Sequence, residues 1–294
     1  MSSLLEQASS YEVLNLAWKK LKNDKAIWSQ SLSRHDMEKD FVYHILKLSE
    51  DLRKGTYEPD PVRFFPVTKG SGKTRIISAY TLRDKLAQRA VLKVLEPIFE
   101  KQFHNDSFGY RTGRSVNMAL AKVKEYIRCG FTWIVDADIS NYFDNIPHKP
   151  LLKKLKSNIN DRKVMSLIRA WLNAGTVRKG FLSKTKGIPQ GGVLSPLFCN
   201  IYLTKWDNEM ARKNLPFVRF ADDFLIFSKT KDHAQKAFMY TEKCLNNLDL
   251  SLNQEKTRVV SCGPHITFLG QKLPAIHNGY YHSTNRNTHR SFNL

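Results

Sequence analysis

The chain has 294 residues, a formal net charge of +20 and a pI near 9.8. Such a balance points to a polyanionic partner, with nucleic acid first. No run of about 18 apolar residues appears, which excludes a spanning helix and gives no sign of a membrane partner. The N-terminus lacks an apolar signal core. Cys129, Cys199, Cys244 and Cys262 show no paired metal-ligand spacing and read as reduced thiols of a cytoplasmic protein.

The first 55 residues read as mainly helical. Ser33-Arg-His-Asp36 has the form of a capping box. Met37, Phe41, Ile45, Leu48 and Leu52 follow at helical spacing, one helix that Gly55 ends. Arg63-Phe-Phe-Pro-Val-Thr and Thr74-Arg-Ile-Ile-Ser predict two strands joined by Lys69-Gly-Ser-Gly-Lys73. That loop is similar to a nucleotide-binding P-loop, but Val67 stands where the first glycine belongs and a strand follows it. A phosphate-facing hairpin is the better reading. Helices are predicted over 81–103, 115–128, 161–174 and 234–248, and strands over 258–261 and 266–269. No internal repeat or low-complexity linker is present.

Between these elements lie three chemically loaded segments. Phe131-Thr-Trp-Ile-Val-Asp136-Ala-Asp138-Ile predicts a strand, and residues two apart on a strand point to one face. Phe220-Ala-Asp222-Asp223 sits between two apolar runs and predicts a tight hairpin. Charges there are costly unless neutralised, and hard divalent cations prefer carboxylate oxygens. An Asp-Asp pair also suits a solvated turn. An Asp after a strand also suits a helix start, the structural reading given to Asp144. The acidic strand beside the acidic hairpin forms a cage suited to two magnesium ions in phosphoryl transfer. Between the two in chain order stands Lys186-Gly-Ile-Pro-Gln-Gly-Gly-Val-Leu-Ser-Pro196. Ser195 is expected to cap a helix with Pro196 in its first turn, and residues 197–213 to continue it.

In this order, Asp138-Ile-Ser-Asn-Tyr-Phe-Asp, Gly187-Ile-Pro-Gln-Gly-Gly-Val-Leu-Ser-Pro and Phe220-Ala-Asp-Asp resemble motifs A, B and C of reverse transcriptases. The similarity is to the bacterial type of group II introns and their relatives. Ser107-Phe-Gly-Tyr-Arg-Thr-Gly-Arg-Ser115 resembles the segment before motif A, Leu252-Asn-Gln-Glu-Lys256-Thr motif D, and Phe268-Leu-Gly270 motif E. The series covers roughly residues 50 to 272.

The resemblance implies an α+β right-hand polymerase fold, with an antiparallel palm sheet backed by helices. The catalytic body would span 1–272, with fingers at roughly 1–80 and 148–185 and palm at roughly 81–147 and 186–272. A polar tail follows at 273–294. No text for a helical thumb follows Gly270, so the expectation is either a truncated or minimal form or a partner protein that supplies thumb-like contacts. The implied activity is RNA-directed DNA polymerisation on an RNA template, from a DNA or RNA primer, with deoxynucleoside triphosphates. Two magnesium ions, or manganese in their place, would be held by the set Asp138, Ile139, Asp222 and Asp223. Phe143, five residues after Asp138, takes the position of the gate that crowds a ribose 2′-hydroxyl. Gln190 and Gly191 line the nucleotide pocket, Lys69 and Arg75 grip the triphosphate, and Lys256 protonates the leaving pyrophosphate. Phe220 stands where the family more often has Tyr, which removes a hydroxyl near the primer end.

Two other readings compete: an RNA-dependent RNA polymerase, with Asp144 close after Asp138, and a poorly active RNA-binding scaffold. Phe143 with Gln190-Gly191 favours deoxynucleotides, and the complete carboxylate set favours an enzyme. Maturase, HNH nuclease and CRISPR integrase text is absent. A stand-alone or CRISPR-associated setting, such as antiviral defence, is therefore expected over intron mobility.

Overall fold

The computed structural model describes residues 2–68, 74–174 and 185–275. The chain opens with α1 (Leu4–Ala8), α2 (Tyr11–Lys19), α3 (Arg34–Lys39) and α4 (Phe41–Lys54). Hydroxyls of Ser3, Ser10 and Ser33 cap the first three. The single helix expected from Ser33 to Gly55 is broken. Asp40 leaves helical geometry at φ −121°, ψ 42°, and the next residue lies with its ring 5.1 Å from Trp18. Both halves still bury their apolar face, including Met37 and Ile45. Gly55 ends α4 at φ 77°, as its lack of a side chain allows.

Next come β1 (Arg63–Thr68) and β2 (Thr74–Ala79), an antiparallel pair. They are followed by α5 (Leu82–Glu100) and α6 (Val116–Arg128), capped by Thr81 and Ser115. Then come β3 (Trp133–Asp138), α7 (Tyr142–Asn145), α8 (His148–Lys156) and α9 (Arg162–Ala174). The remainder comprises α10 (Ser195–Arg212), β4 (Phe217–Phe220), β5 (Asp223–Ser228), α11 (Lys231–Asn246), β6 (Arg258–Ser261), β7 (Thr267–Phe268) and β8 (Gln271–Lys272).

The central sheet has the order β4-β5-β3-β6, antiparallel throughout. Its strands alternate between two apolar clusters, as a period of two requires. Val135, Ala137, Phe217, Phe224 and Ile226 join the larger cluster with α10 and α11. Ile134, Val218, Leu225 and Phe227 join the second, with Ala119, Leu120, Val123 and Ile127 of α6. The sheet is therefore backed by helices on both faces. Asp136, Asp138 and Asp223 share the parity of Ile134 and Leu225, so they belong to the α6 face, at its open end. Among the described residues no helix is long and apolar enough to cross a membrane. Cys199, Cys244 and Cys262 are buried and Cys129 is exposed, none in a disulfide.

Candidate active site

The register of β3 on β5 places Asp138 directly opposite Asp223, with Asp136 one pleat further along, opposite Leu225. Like charges facing one another across strands repel. Two cations offset this. The Lys256 ammonium lies 2.7 Å from an Asp138 carboxylate oxygen, and the Arg258 guanidinium lies 2.9 Å from Asp136. Burial still pushes the Asp223 carboxyl up to about 7, with Asp136, Asp138 and Asp222 adding repulsion and Lys256 opposing it. Burial likewise raises Asp136, against the pull of Arg258. Among the described residues no three His, Cys, Asp or Glu side chains converge as a ready-made metal cage. The carboxylates nonetheless form a hard-oxygen donor set with a deficit of positive charge, the condition that a divalent cation relieves.

The turn that carries Asp222 is tight. Phe220 pairs with Asp223, leaving Ala221 and Asp222 as the two loop residues. Ala221 has φ 62°, in the left-handed region that favours glycine. At the end of β3, the Asp138 carbonyl accepts from Asn253 N–H (2.8 Å) and Ser140 N–H donates to the Ser251 carbonyl (2.9 Å). Ile139, bridged to Leu252 between these bonds, therefore turns its own carbonyl away from Leu252. Its side chain is a hydrocarbon, so only that backbone oxygen could serve as a metal ligand.

The glycine-rich loop before α10 touches both neighbours of this site. Ser78 N–H of β2 donates to the Gln190 carbonyl at 2.7 Å. Gly191, at φ 106°, lies so close that a Cβ would meet the Ser78 carbonyl at 2.6 Å. On the other side, Ile188 N–H donates to the Phe143 carbonyl at 2.7 Å, and Gly187 N–H to Ile146 at 2.8 Å. Phe143 is half-buried, its ring 6.0 Å from Tyr142 and its inner edge against the larger cluster. It therefore keeps one edge of its ring partly exposed.

Residues 67–273 match the family described as reverse transcriptase (RNA-dependent DNA polymerase). The chain belongs to the reverse transcriptase family. It is 33% identical over 268 residues to protein YkfC of Escherichia coli K12, covering 77% of this chain and 70% of that protein. It is 40% identical over 177 residues to the group II intron-encoded protein LtrA of Lactococcus lactis, 60% of this chain but 29% of that protein. A solved telomerase from Candida albicans has the same fold over 83% of this chain and 49% of that one, with TM-score 0.55 and 14% identity. The fold is that of reverse transcriptases, mixing helices with antiparallel sheets.

In this reverse transcriptase Asp138, Asp222, Asp223 and Lys256 lie together, with Gln190, Gly191 and Phe143 on the adjoining loop and helix. Arg75 stands on β2 opposite Val67, and Lys69 lies outside the described residues, as do 276–294 of the expected tail. Three local expectations are corrected. Ser195 is not the cap of α10. Leu194 is, and the Ser195 hydroxyl instead donates to the Pro189 carbonyl at 2.6 Å, closing the glycine-rich loop. Asp144 does not cap α7, because Asn141 does; Asp144 lies in the first turn, exposed. α11 begins at Lys231, capped by Thr230, three residues before the apolar period starts. Sequence reasoning missed Arg258 and Arg219. The signal for Arg219 was a charge inside the apolar run Phe217-Val-Arg-Phe.

Proposed function

We propose that this chain is the catalytic body of an RNA-directed DNA polymerase, extending a primer on an RNA template with deoxynucleoside triphosphates. The observation that carries this reading is the pairing of Asp138 with Asp223 across β3 and β5, beside Asp222. Asp138, Asp222 and Asp223, with the Ile139 carbonyl, would hold two divalent ions, magnesium or manganese. Such ions, when bound, favour the alkoxide form of an attacking hydroxyl and neutralise a departing pyrophosphate. The charge deficit at Asp223 supports this fit.

The protein's own groups supply the rest. Lys256 holds a proton within reach of the carboxylates and is the candidate donor to the leaving group. The half-buried Phe143 ring excludes a 2′-hydroxyl by bulk. Gln190 and Gly191 shape the pocket floor, braced on Ser78. Arg75 stands on β2, and in this reading it and Lys69 supply positive charge to the incoming triphosphate. In this reading the fingers take roughly 1–80 and 148–185, and the palm roughly 81–147 and 186–272. The net charge of +20 serves template and primer phosphates.

Extension of a DNA primer annealed to RNA, with deoxy- and ribonucleotides compared, tests the proposal. Incorporation of deoxynucleotides by the parent and none by Asp222→Asn is expected. Preferred incorporation of ribonucleotides would favour the RNA polymerase reading, and duplex binding without extension the scaffold.

A further inference from the structure

Arg219 has no part in the chemistry described so far. It sits within β4, fully buried at 0% exposure, on the sheet face opposite the carboxylates. A guanidinium removed from water is costly unless its donors find partners. Its Nε and Nη2 donate to the two oxygens of Asp207 on α10, at 2.7 and 2.5 Å. Its Nη1 donates to Asn200 Oδ1 at 3.1 Å and to the Ala221 carbonyl at 2.9 Å. Asn200 and Asp207 are seven residues apart, two turns along one face of α10.

Ala221 is the residue these bonds reach, and its backbone is strained, at φ 62° immediately before Asp222. Its other side is closed by Gly109. A Cβ on Gly109 would stand 2.4 Å from the Ala221 nitrogen and 2.9 Å from the Phe220 carbonyl carbon. The Gly109 segment is hung on β4 itself. Phe108 N–H donates to the Arg219 carbonyl at 2.8 Å, and Arg219 N–H to the Asp106 carbonyl at 2.9 Å. Asn200 joins the two sides, because its Nδ2 donates to the Gly109 carbonyl at 2.8 Å.

We propose that Asn200, Asp207 and Arg219 form a clasp that, with Gly109, holds Ala221 left-handed and thereby aims Asp222 and Asp223: Arg219 is a positioning residue for the metal-holding turn. A buried ion pair is a poor source of stability, since apolar side chains of similar volume serve as well. What a planar fork supplies is direction. It takes the Asp207 carboxylate on one edge and leaves Nη1 aimed at the turn, which a lysine cannot do. The inference rests on the polymerase reading above.

The test uses the full chain and two readouts, Mn2+ affinity by electron paramagnetic resonance and single-nucleotide extension. Asn200→Ala keeps the Arg219–Asp207 pair but opens the clasp. Mn2+ affinity and kcat should each fall on the order of 10- to 100-fold, the scale for losing a group that orients a metal ligand, with KM for the nucleotide little changed. Asn200→Ser should fall between parent and Asn200→Ala. Adding Ala221→Gly to Asn200→Ala should restore much of both, because glycine adopts positive φ without strain. Ser49→Ala, which removes another buried hydrogen bond (Ser49 Oγ to the Ser9 carbonyl, 2.6 Å), should lower the thermal midpoint and leave Mn2+ affinity unmoved. Parent-like Mn2+ binding and turnover in both Asn200 variants overturns the clasp. So does a loss that tracks only the folded fraction and that Ala221→Gly does not restore. A parent chain that neither extends primers nor binds Mn2+ in an Asp222-dependent way overturns the polymerase reading, and the clasp with it.

Discussion

The Lys256 ammonium lies 2.7 Å from the Asp138 carboxylate, a contact made across 118 residues of chain. It places a half-exposed cation on an oxygen that the proposed metal ions also need. Asn253 Nδ2 approaches the same oxygen at 3.4 Å. A divalent ion held by Asp138 would compete with Lys256 for this oxygen, and its binding would leave the lysine free for the proposed proton transfer.

Lys256→Met separates these roles. Removing the competing cation should tighten Mn2+ binding, while loss of a general acid should lower kcat by about 10²-fold. Titration of Mn2+ and pre-steady-state extension read the two effects independently. An unchanged kcat would remove Lys256 from the chemistry.

Asp138→Asn and Asp222→Asn should each abolish extension and leave binding to an RNA–DNA duplex nearly intact. Each removes one charged oxygen ligand and no phosphate-facing cation. Fluorescence anisotropy across a salt series checks the second half: the slope of log affinity against log salt should match the parent's. Robust extension by either variant contradicts the metal assignment.

Phe143→Ala should admit ribonucleotides far better than the parent does, because the half-buried ring edge is the proposed filter. Competition between a deoxynucleotide and its ribonucleotide in one reaction gives the ratio directly. A ratio equal to the parent's would make Phe143 a core residue only, consistent with its contact with Tyr142.

A pH prediction concerns Asp84, away from the site. Its carboxylate is fully buried at the start of α5, accepting from the Tyr57 hydroxyl at 2.6 Å and Asp60 N–H at 2.9 Å. Burial pushes it up to about 6, above its unfolded value of 3.8. The folded state then binds more protons than the unfolded state between these values. Its contribution is most favourable below the unfolded pKa and is lost as pH rises through about 6, up to roughly 3 kcal/mol for such a shift. Thermal midpoints measured from pH 4 to 7.5 should fall less with rising pH in Asp84→Asn than in the parent. Parallel curves would refute the assignment.

Much of this protein is local and therefore legible. The alternation of Trp133–Asp138, the tight turn before Asp223, the helix starts near 81 and 115 and the αL stop at Gly55 each depend on near neighbours. So do the glycine-rich loop and its order between the two acidic segments, which together point to a polymerase. Breaks are less legible. The chain leaves the helix at Asp40 although the apolar period runs on, because the Phe41 ring then meets Trp18, a contact made outside the helix.

By itself the sequence determined which residue types could hold metal and in what order they occur. Only the tertiary structure decided which of them meet. The register of β3 on β5 sets Asp138 against Asp223 rather than one pleat away, and a slip of one residue would have turned every carboxylate to the opposite face. Lys256 and Arg258 become partners of Asp138 and Asp136 only through the pairing of β6 with β3. Arg219, an unexplained charge in an apolar run, acquires a role only when α10 delivers Asn200 and Asp207 beneath the sheet. Side-chain periodicity is a property of a few consecutive residues, whereas charge neutralisation is a property of distance in space, which a one-dimensional pattern does not contain.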